Sequence, residues 1–260
     1  MGEPRHIELR GRPVGAGAFP LIITPLVGRT PAELEAELEA VVPKQPDMLE
    51  WRIDFFDGIA DPALVRDTAR AIRRAARALP ILLTRRNVTE GGHAVPISEP
   101  AVVDLLAGAC EARWVDLIDY ELSNPAADMA RLRAVSTANG VALVASYHNF
   151  ECTPDLDTLV GRFAEAGRRG ADVAKVAVMP KDPQDVLTLL AATHRASRTL
   201  DLPLISMSMG GLGALSRVVG WMYGSAATFA VGKSSSAPGQ ITVEQLRAMV
   251  TAFRQAAGGR

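Results

Sequence analysis

Eight short apolar runs, about 30 residues apart and separated by amphipathic stretches, constrain the fold of this chain more than any other feature. They span 19–26 (FPLIITPL), 48–54, 81–86, 115–122, 141–149, 173–180, 203–209 and 228–232. Most are nearly continuously apolar, as parallel strands buried on both faces are. The stretches between them carry helix-start signals: Thr30-Pro31 with Glu33 three residues after the cap, Asp61-Pro62, and Asn124-Pro125. In each, a capping side chain precedes a proline at a position where the N–H has no helical partner. A closing helix is predicted over 242–256. Strands and helices in this number and order predict an α/β (β/α)8 TIM barrel, one domain over residues 1–260 and close to the typical ~250 residues. A doubly wound open sheet is the rival, but the turn after the first run, LVGRTP (26–31), lacks a G-x-G-x-x-G phosphate cradle. Residues 4–18 precede the first strand and are expected to form a small hairpin that plugs the barrel bottom.

Composition narrows the functional classes. The formal charge is -1, from 28 Lys plus Arg against 29 Asp plus Glu, so no net basic footprint for nucleic acid exists. No apolar run reaches the roughly 18 residues of a membrane span. The polar, Gly/Pro-rich start, MGEPRHIELRGRPVG, is unlike a secretory signal. Cys110 and Cys152 are too few for a disulfide framework or a zinc cluster. A cytoplasmic protein without structural metal, nucleic-acid partner or membrane association is expected.

In such barrels chemistry sits at the C-terminal strand ends, and polar residues collect there in this sequence. The second run ends in Glu50-Trp51-Arg52, the third in Arg85-Arg86, and the fourth carries Asp119 and Glu121. The fifth ends in Ser146-Tyr147-His148, and the sixth holds Lys175. Side chains two apart share a strand face, which sends Glu50 and Arg52 into the mouth and Trp51 under the helices. Lys175 stands among apolar neighbours in VAKVAVM, one of four lysines in the chain. A buried amine near cations such as Arg52 or Arg86 would favour the neutral form that condenses with a carbonyl; alternatively it pairs with Asp119 or Glu121. His148, on the neighbouring strand, is either a proton shuttle for that amine or a structural histidine. Glu90 before Gly91-Gly92 reads as a turn bringing a carboxylate over the mouth, or as a solvated loop. The segment 234–240 (SSSAPGQ) is a lid or a plain connection. Arg217, after GGLG (210–213), is an anion seat or an ordinary surface residue.

Taken together, LEWRID (49–54), TRRNVTEGG (84–92), IDYEL (118–122), SYHNF (146–150), KVAVMP (175–180), SMSM with Ser216-Arg217, and YGSAATF followed by SAPGQI (236–241) resemble the type I 3-dehydroquinate dehydratase family. The likeness runs from about residue 17 to residue 256. It implies a lyase of the shikimate pathway of aromatic amino acid biosynthesis, which dehydrates 3-dehydroquinate through a lysine Schiff base without a cofactor. It assigns imine formation to Lys175, proton transfer to His148 and orientation of that histidine to Glu90. Glu50, Arg52 and Arg86 would hold ring hydroxyls. Arg217, Ser236 and Gln240 would bind the carboxylate and close the lid, with Met207, Met209 and Phe229 as apolar walls. Asp119 matches an acidic position of the family near the histidine.

One departure stands out: family members commonly carry a serine near the end of strand one, where this chain has Pro25 beside Thr24. Other Schiff-base barrels, such as class I aldolases, would account for Lys175 but not for EWR, TEGG and SAPGQ together. A catalytically silent metabolite-binding barrel is the non-enzyme alternative. The sequence leaves the assembly open, with a homodimer as the state to test.

Overall fold

The computed structural model describes residues 6–15, 19–233, 241–256 and 258. A hairpin of β1 (Ile7–Leu9) and β2 (Arg12–Val14) leads into β3 (Leu21–Leu26), β4 (Met48–Arg52), β5 (Ile81–Thr84), β6 (Leu117–Glu121), β7 (Ala142–Asn149), β8 (Val173–Val178), β9 (Leu204–Ser208) and β10 (Ala227–Val231). A short β11 (Ile241–Thr242) pairs outside β10. Helices α1 (Pro31–Val41), α2 (Pro62–Ala76), α3 (Glu99–Glu111), α4 (Ala126–Asn139), α5 (Leu156–Arg168), α6 (Pro183–Thr199), α7 (Ala214–Val219) and α8 (Val243–Ala256) alternate with the strands. From β10 through β3 to β9, neighbours pair in parallel. The two ends of this curled sheet meet at a parallel bridge between Leu204 and Ser225, where the Ala226 N–H donates to the Leu204 carbonyl at 2.7 Å. The barrel expected from the eight apolar runs is the fold. Among the described residues no helix is long and apolar enough to cross a membrane.

The local signals act as read at two starts and fail at a third. Thr30 accepts the Glu33 N–H at 3.2 Å, and Asp61 accepts those of Ala63 and Leu64. Asn124 does not cap α4: Pro125 occupies the cap position, and the Asn124 amide donates to Glu121 at 2.8 Å. A buried carboxylate at the end of β6 outcompetes the helix end for that side chain.

Alternation along the strands separates two apolar layers. Outward residues such as Trp51, Tyr120 and Val176 pack with Ile72, Leu106 and Leu189 of the surrounding helices. Inward residues Leu21, Met48, Leu82, Leu117 and Val173 fill the barrel's lower half together with Leu9 and Val14 of the hairpin. Arg10 and Gly11 both have positive φ, 50° and 74°, as a two-residue hairpin turn matching strand twist requires. The hairpin is tied down by Arg10 on Asp116 at 2.6 Å and Arg12 on Asp47 at 3.0 Å. The floor is therefore apolar and covered by the hairpin, and the polar inward positions lie at the other end.

Candidate active site

Above the apolar floor, a cleft opens at the C-terminal strand ends, where chemistry sits in barrels of this kind. Glu50, Arg52, Arg86, Glu90, His148 and Lys175 line it, with Met207, Met209 and Phe229 as apolar wall. They come from β4, β7, β8, β9 and β10 or their ends and from the loop after β5, so the barrel register sets their relative heights. Lys175 lies opposite Ser146, and His148 lies opposite Ala177, two residues farther along β8. The imidazole thus sits one side-chain layer above the amine on the same inward face.

Lys175 is buried in β8, with its Nζ 3.0 Å from Asp119 and 3.8 Å from Glu50. The Phe229 ring lies 4.7 Å from the same nitrogen. Its nearest charges are therefore carboxylates, so of the two sequence expectations the pairing with Asp119 holds and the neighbouring cations do not. Arg86 donates to the same Asp119 oxygen, Oδ2, at 2.7 Å, and also to Glu121 and Ser146. Burial alone would raise the Asp119 carboxyl, but Arg86 and Lys175 outweigh it and hold the group far below the usual carboxylate range. Glu50 accepts the Thr84 hydroxyl at 2.8 Å, which fixes its carboxylate beside the amine.

His148 is half-buried with its ring largely shielded, and its Nδ1 lies 2.9 Å from Glu90 Oε2. The same oxygen accepts the His148 backbone N–H at 2.8 Å. A ring held through Nδ1–H leaves Nε2 as its free basic nitrogen. Burial, then the charges of Arg86 and Lys175, push His148 well below its ordinary 6.5, so the imidazole is neutral at neutral pH. Burial also pushes Glu90 up to about 7, against the hydrogen bond from Ser123 and the charge of Arg86, which pull it down. The loop that delivers Glu90 needs both of its glycines. Gly91 has φ +82° with the Phe150 ring against it, and a Cβ at Gly92 would lie 1.9 Å from the Arg86 carbonyl oxygen.

Arg52 is held by Asp54 through two bonds, at 2.8 and 2.7 Å. Arg85 turns away from the mouth to pair with Glu99 outside the barrel. Arg217, on α7, is buried behind the apolar wall, its Nη1 3.4 Å from the Phe229 carbonyl and 3.7 Å from Met207 Sδ. Burial brings this guanidinium down to about 10, which leaves it charged at neutral pH. Ser236 and Gln240 lie outside the described residues. Pro25 is buried in β3 in register with Glu50, and its side chain provides no hydrogen bond.

The family model described as type I 3-dehydroquinase matches residues 22–257. The chain belongs to the type I 3-dehydroquinase family. It is 51% identical over 258 residues to the 3-dehydroquinate dehydratase of Albidiferax ferrireducens, covering 99% of this chain and 98% of that one. It is 45% identical in sequence to the crystal structure of 3-dehydroquinate dehydratase from Geobacillus kaustophilus, with a TM-score of 0.95 and 97% of each chain covered. A type I enzyme from Clostridium difficile, solved with covalently modified comenic acid, superposes with a TM-score of 0.93 at 32% identity, over 98% of this chain and all of that one.

Asp54 and Ser123 shape this candidate site without a role expected from the sequence, and Glu121 is expected there only as an alternative partner of Lys175. Asp54 accepts the backbone N–H groups of Arg86 and His93 as well as the Arg52 guanidinium. Glu121 accepts from Arg86, the Asn87 N–H and Asn124. Paired carboxylates two apart in an apolar strand, Asp119 and Glu121, were a visible signal that both face the mouth. Ser123, which donates to Glu90, has no sequence signal at all, because the two loops meet only in the folded barrel.

Proposed function

We propose that this chain dehydrates 3-dehydroquinate to 3-dehydroshikimate through an imine on Lys175. The observation that carries the reading is a primary amine and a neutral, carboxylate-held imidazole on one inward face of one cleft. In the proposed reaction the Lys175 nitrogen adds to the substrate ketone and water leaves, giving an iminium. His148 Nε2 then takes a proton from the neighbouring C2, and the electron pair moves into the iminium to form an enamine. The enamine expels the hydroxyl beta to the former ketone, which departs as water with the proton returned by His148. Hydrolysis releases the conjugated product and restores the amine. The iminium is the electron sink, so the steps need no metal or organic cofactor.

Binding follows from the same chemistry. Glu50, Arg52 and Arg86 are placed to hold ring hydroxyls. Arg217 would offer a charged fork to the carboxylate, with Ser236 and Gln240 as neutral donors from the 234–240 segment. A homodimer in the cytoplasm, serving the shikimate pathway, is the proposed setting; sedimentation at micromolar concentration reads the assembly directly. The test of function is incubation with 3-dehydroquinate while following the ultraviolet absorbance of the conjugated product. A rising signal is expected. Saturable binding with a flat trace would instead make the chain a metabolite-binding barrel.

A further inference from the structure

The loop after β6 makes a contact that the proposed reaction leaves unused. Ser123 Oγ donates to Glu90 Oε1 at 2.6 Å, while Glu90 Oε2 receives the His148 backbone N–H and Nδ1. One carboxylate is thus filled on both oxygens: one faces the histidine and the other faces a hydroxyl from a different loop. We propose that Ser123 is a positioning residue for proton transfer, acting on His148 through Glu90; this rests on the reading of Lys175 and His148 given above.

The placement of Ser123 is built rather than incidental. Its neighbours are anchored on both sides: the Leu122 N–H donates to the Ser146 carbonyl at 2.7 Å, and the Asn124 N–H to the Glu121 carbonyl at 3.2 Å. The Asn124 side chain holds Glu121, and Arg169 donates to the Asn124 carbonyl. Glu121 in turn accepts the Asn87 N–H at the start of the turn that carries Glu90. Both loops are therefore registered on one buried carboxylate, and the hydroxyl meets Glu90 at a fixed height. A carboxylate gripped at one oxygen alone can rotate about its terminal torsion, which has broad wells. The Ser123 bond removes that freedom and keeps Oε2 on the imidazole.

The bond also biases charge. A hydroxyl donating to a carboxylate favours the ionised form, and ionised Glu90 is the form that accepts Nδ1–H from a neutral His148. The charged groups that act on Glu90 are Arg86 and Glu121, beside the His148 backbone N–H, and those that act on His148 are Arg86, Lys175, Asp119 and Arg52. None of them changes when Ser123 is altered. Removing the hydroxyl raises the Glu90 carboxyl, so the ionised fraction is lost first on the acidic side.

The experiment compares wild type, Ser123→Ala and Ser123→Thr in kcat and KM from pH 5.5 to 9, with borohydride trapping in parallel. Ser123 is exposed, so truncation should cost folding little. For Ser123→Ala the acid limb of kcat is expected to move up by about half to one pH unit, a loss of roughly 3- to 10-fold below the limb. Near parity is expected above it, with KM and trapping unchanged; Ser123→Thr restores the wild-type limb. A Ser123→Ala profile that overlays wild type, or one lowered equally at every pH, would overturn the role. An inactive wild type would instead remove the functional reading, and this role with it.

Discussion

The two ends of the barrel hold the same kinds of residues and use them differently. At the floor, Asp47, Asp116 and Asp172 each stand immediately before an even-numbered strand. Each accepts an N–H from the strand before, those of Ile22, Ile81 and Leu143, at 2.8–3.0 Å. Ser225 repeats the device before β10 by accepting the Ser206 N–H. Arg12 and Arg247, Arg10 and Arg73, and Arg133 cover the three carboxylates, whose side chains stay 14–25% exposed. At the mouth, the Asp119 and Glu121 side chains have no exposure and share Arg86. There the amine and imidazole keep one side open to a cleft. Charges that repeat from strand pair to strand pair and end on backbone N–H groups hold the barrel together. Charges that break the repeat and converge on a cavity are the ones available for chemistry.

That contrast can be broken by mutation at either end. The largest effect is expected at the mouth, where His148→Ala should lower kcat about 100-fold or more. A borohydride-trappable adduct should survive, because the amine is intact. Near-normal turnover would return His148 to a structural role and erase the distinction.

Arg217→Ala should act next in size and on KM more than kcat. Hydrogen bonds to charged groups contribute roughly 1.5–3 kcal/mol, a KM increase of about 10- to 100-fold. Gln240→Ala, which removes a neutral donor, should change KM less than Arg217→Ala. The reverse order, measured by initial rates, would move the carboxylate seat away from Arg217.

The smallest effect on activity is expected at the floor. Asp116→Ala strips a partner from the Ile81 N–H, Arg73 and Arg10 and should cost about 2 kcal/mol of stability. For a chain of this size that lowers Tm by roughly 5 °C, read by calorimetry. Its kcat/KM at 25 °C should match wild type. A large catalytic loss without a change in Tm would mean that the floor carboxylate network is coupled to the site.

The sequence makes much of this legible. Unbroken apolar runs mark strands buried on both faces, and the alternation of Glu50, Trp51 and Arg52 correctly divides mouth from outer layer. Proline after a capping residue marks the start of α1 and α2 but misleads at α4, where Asn124 serves Glu121 instead. Lys175, His148 and Glu90 are recoverable because each is a polar residue where apolar or turn chemistry is expected. Which of the charges at the mouth pairs with which is not. Whether cations or carboxylates surround an amine depends on which strand ends share a layer, and that follows from register rather than local pattern. The bonds of Asp54 to the Arg86 and His93 N–H groups, and of Ser123 to Glu90, join loops tens of residues apart, so no short window of sequence contains both ends of them.

The central claim is that Lys175 is the nucleophile of a covalent reaction. It is tested most directly by adding borohydride to the protein with 3-dehydroquinate and mapping the modified peptide by mass spectrometry. The expected result is irreversible inactivation with one reduced adduct on Lys175, and neither adduct nor turnover in Lys175→Ala. An adduct on Lys233, or full turnover without the Lys175 amine, would contradict it.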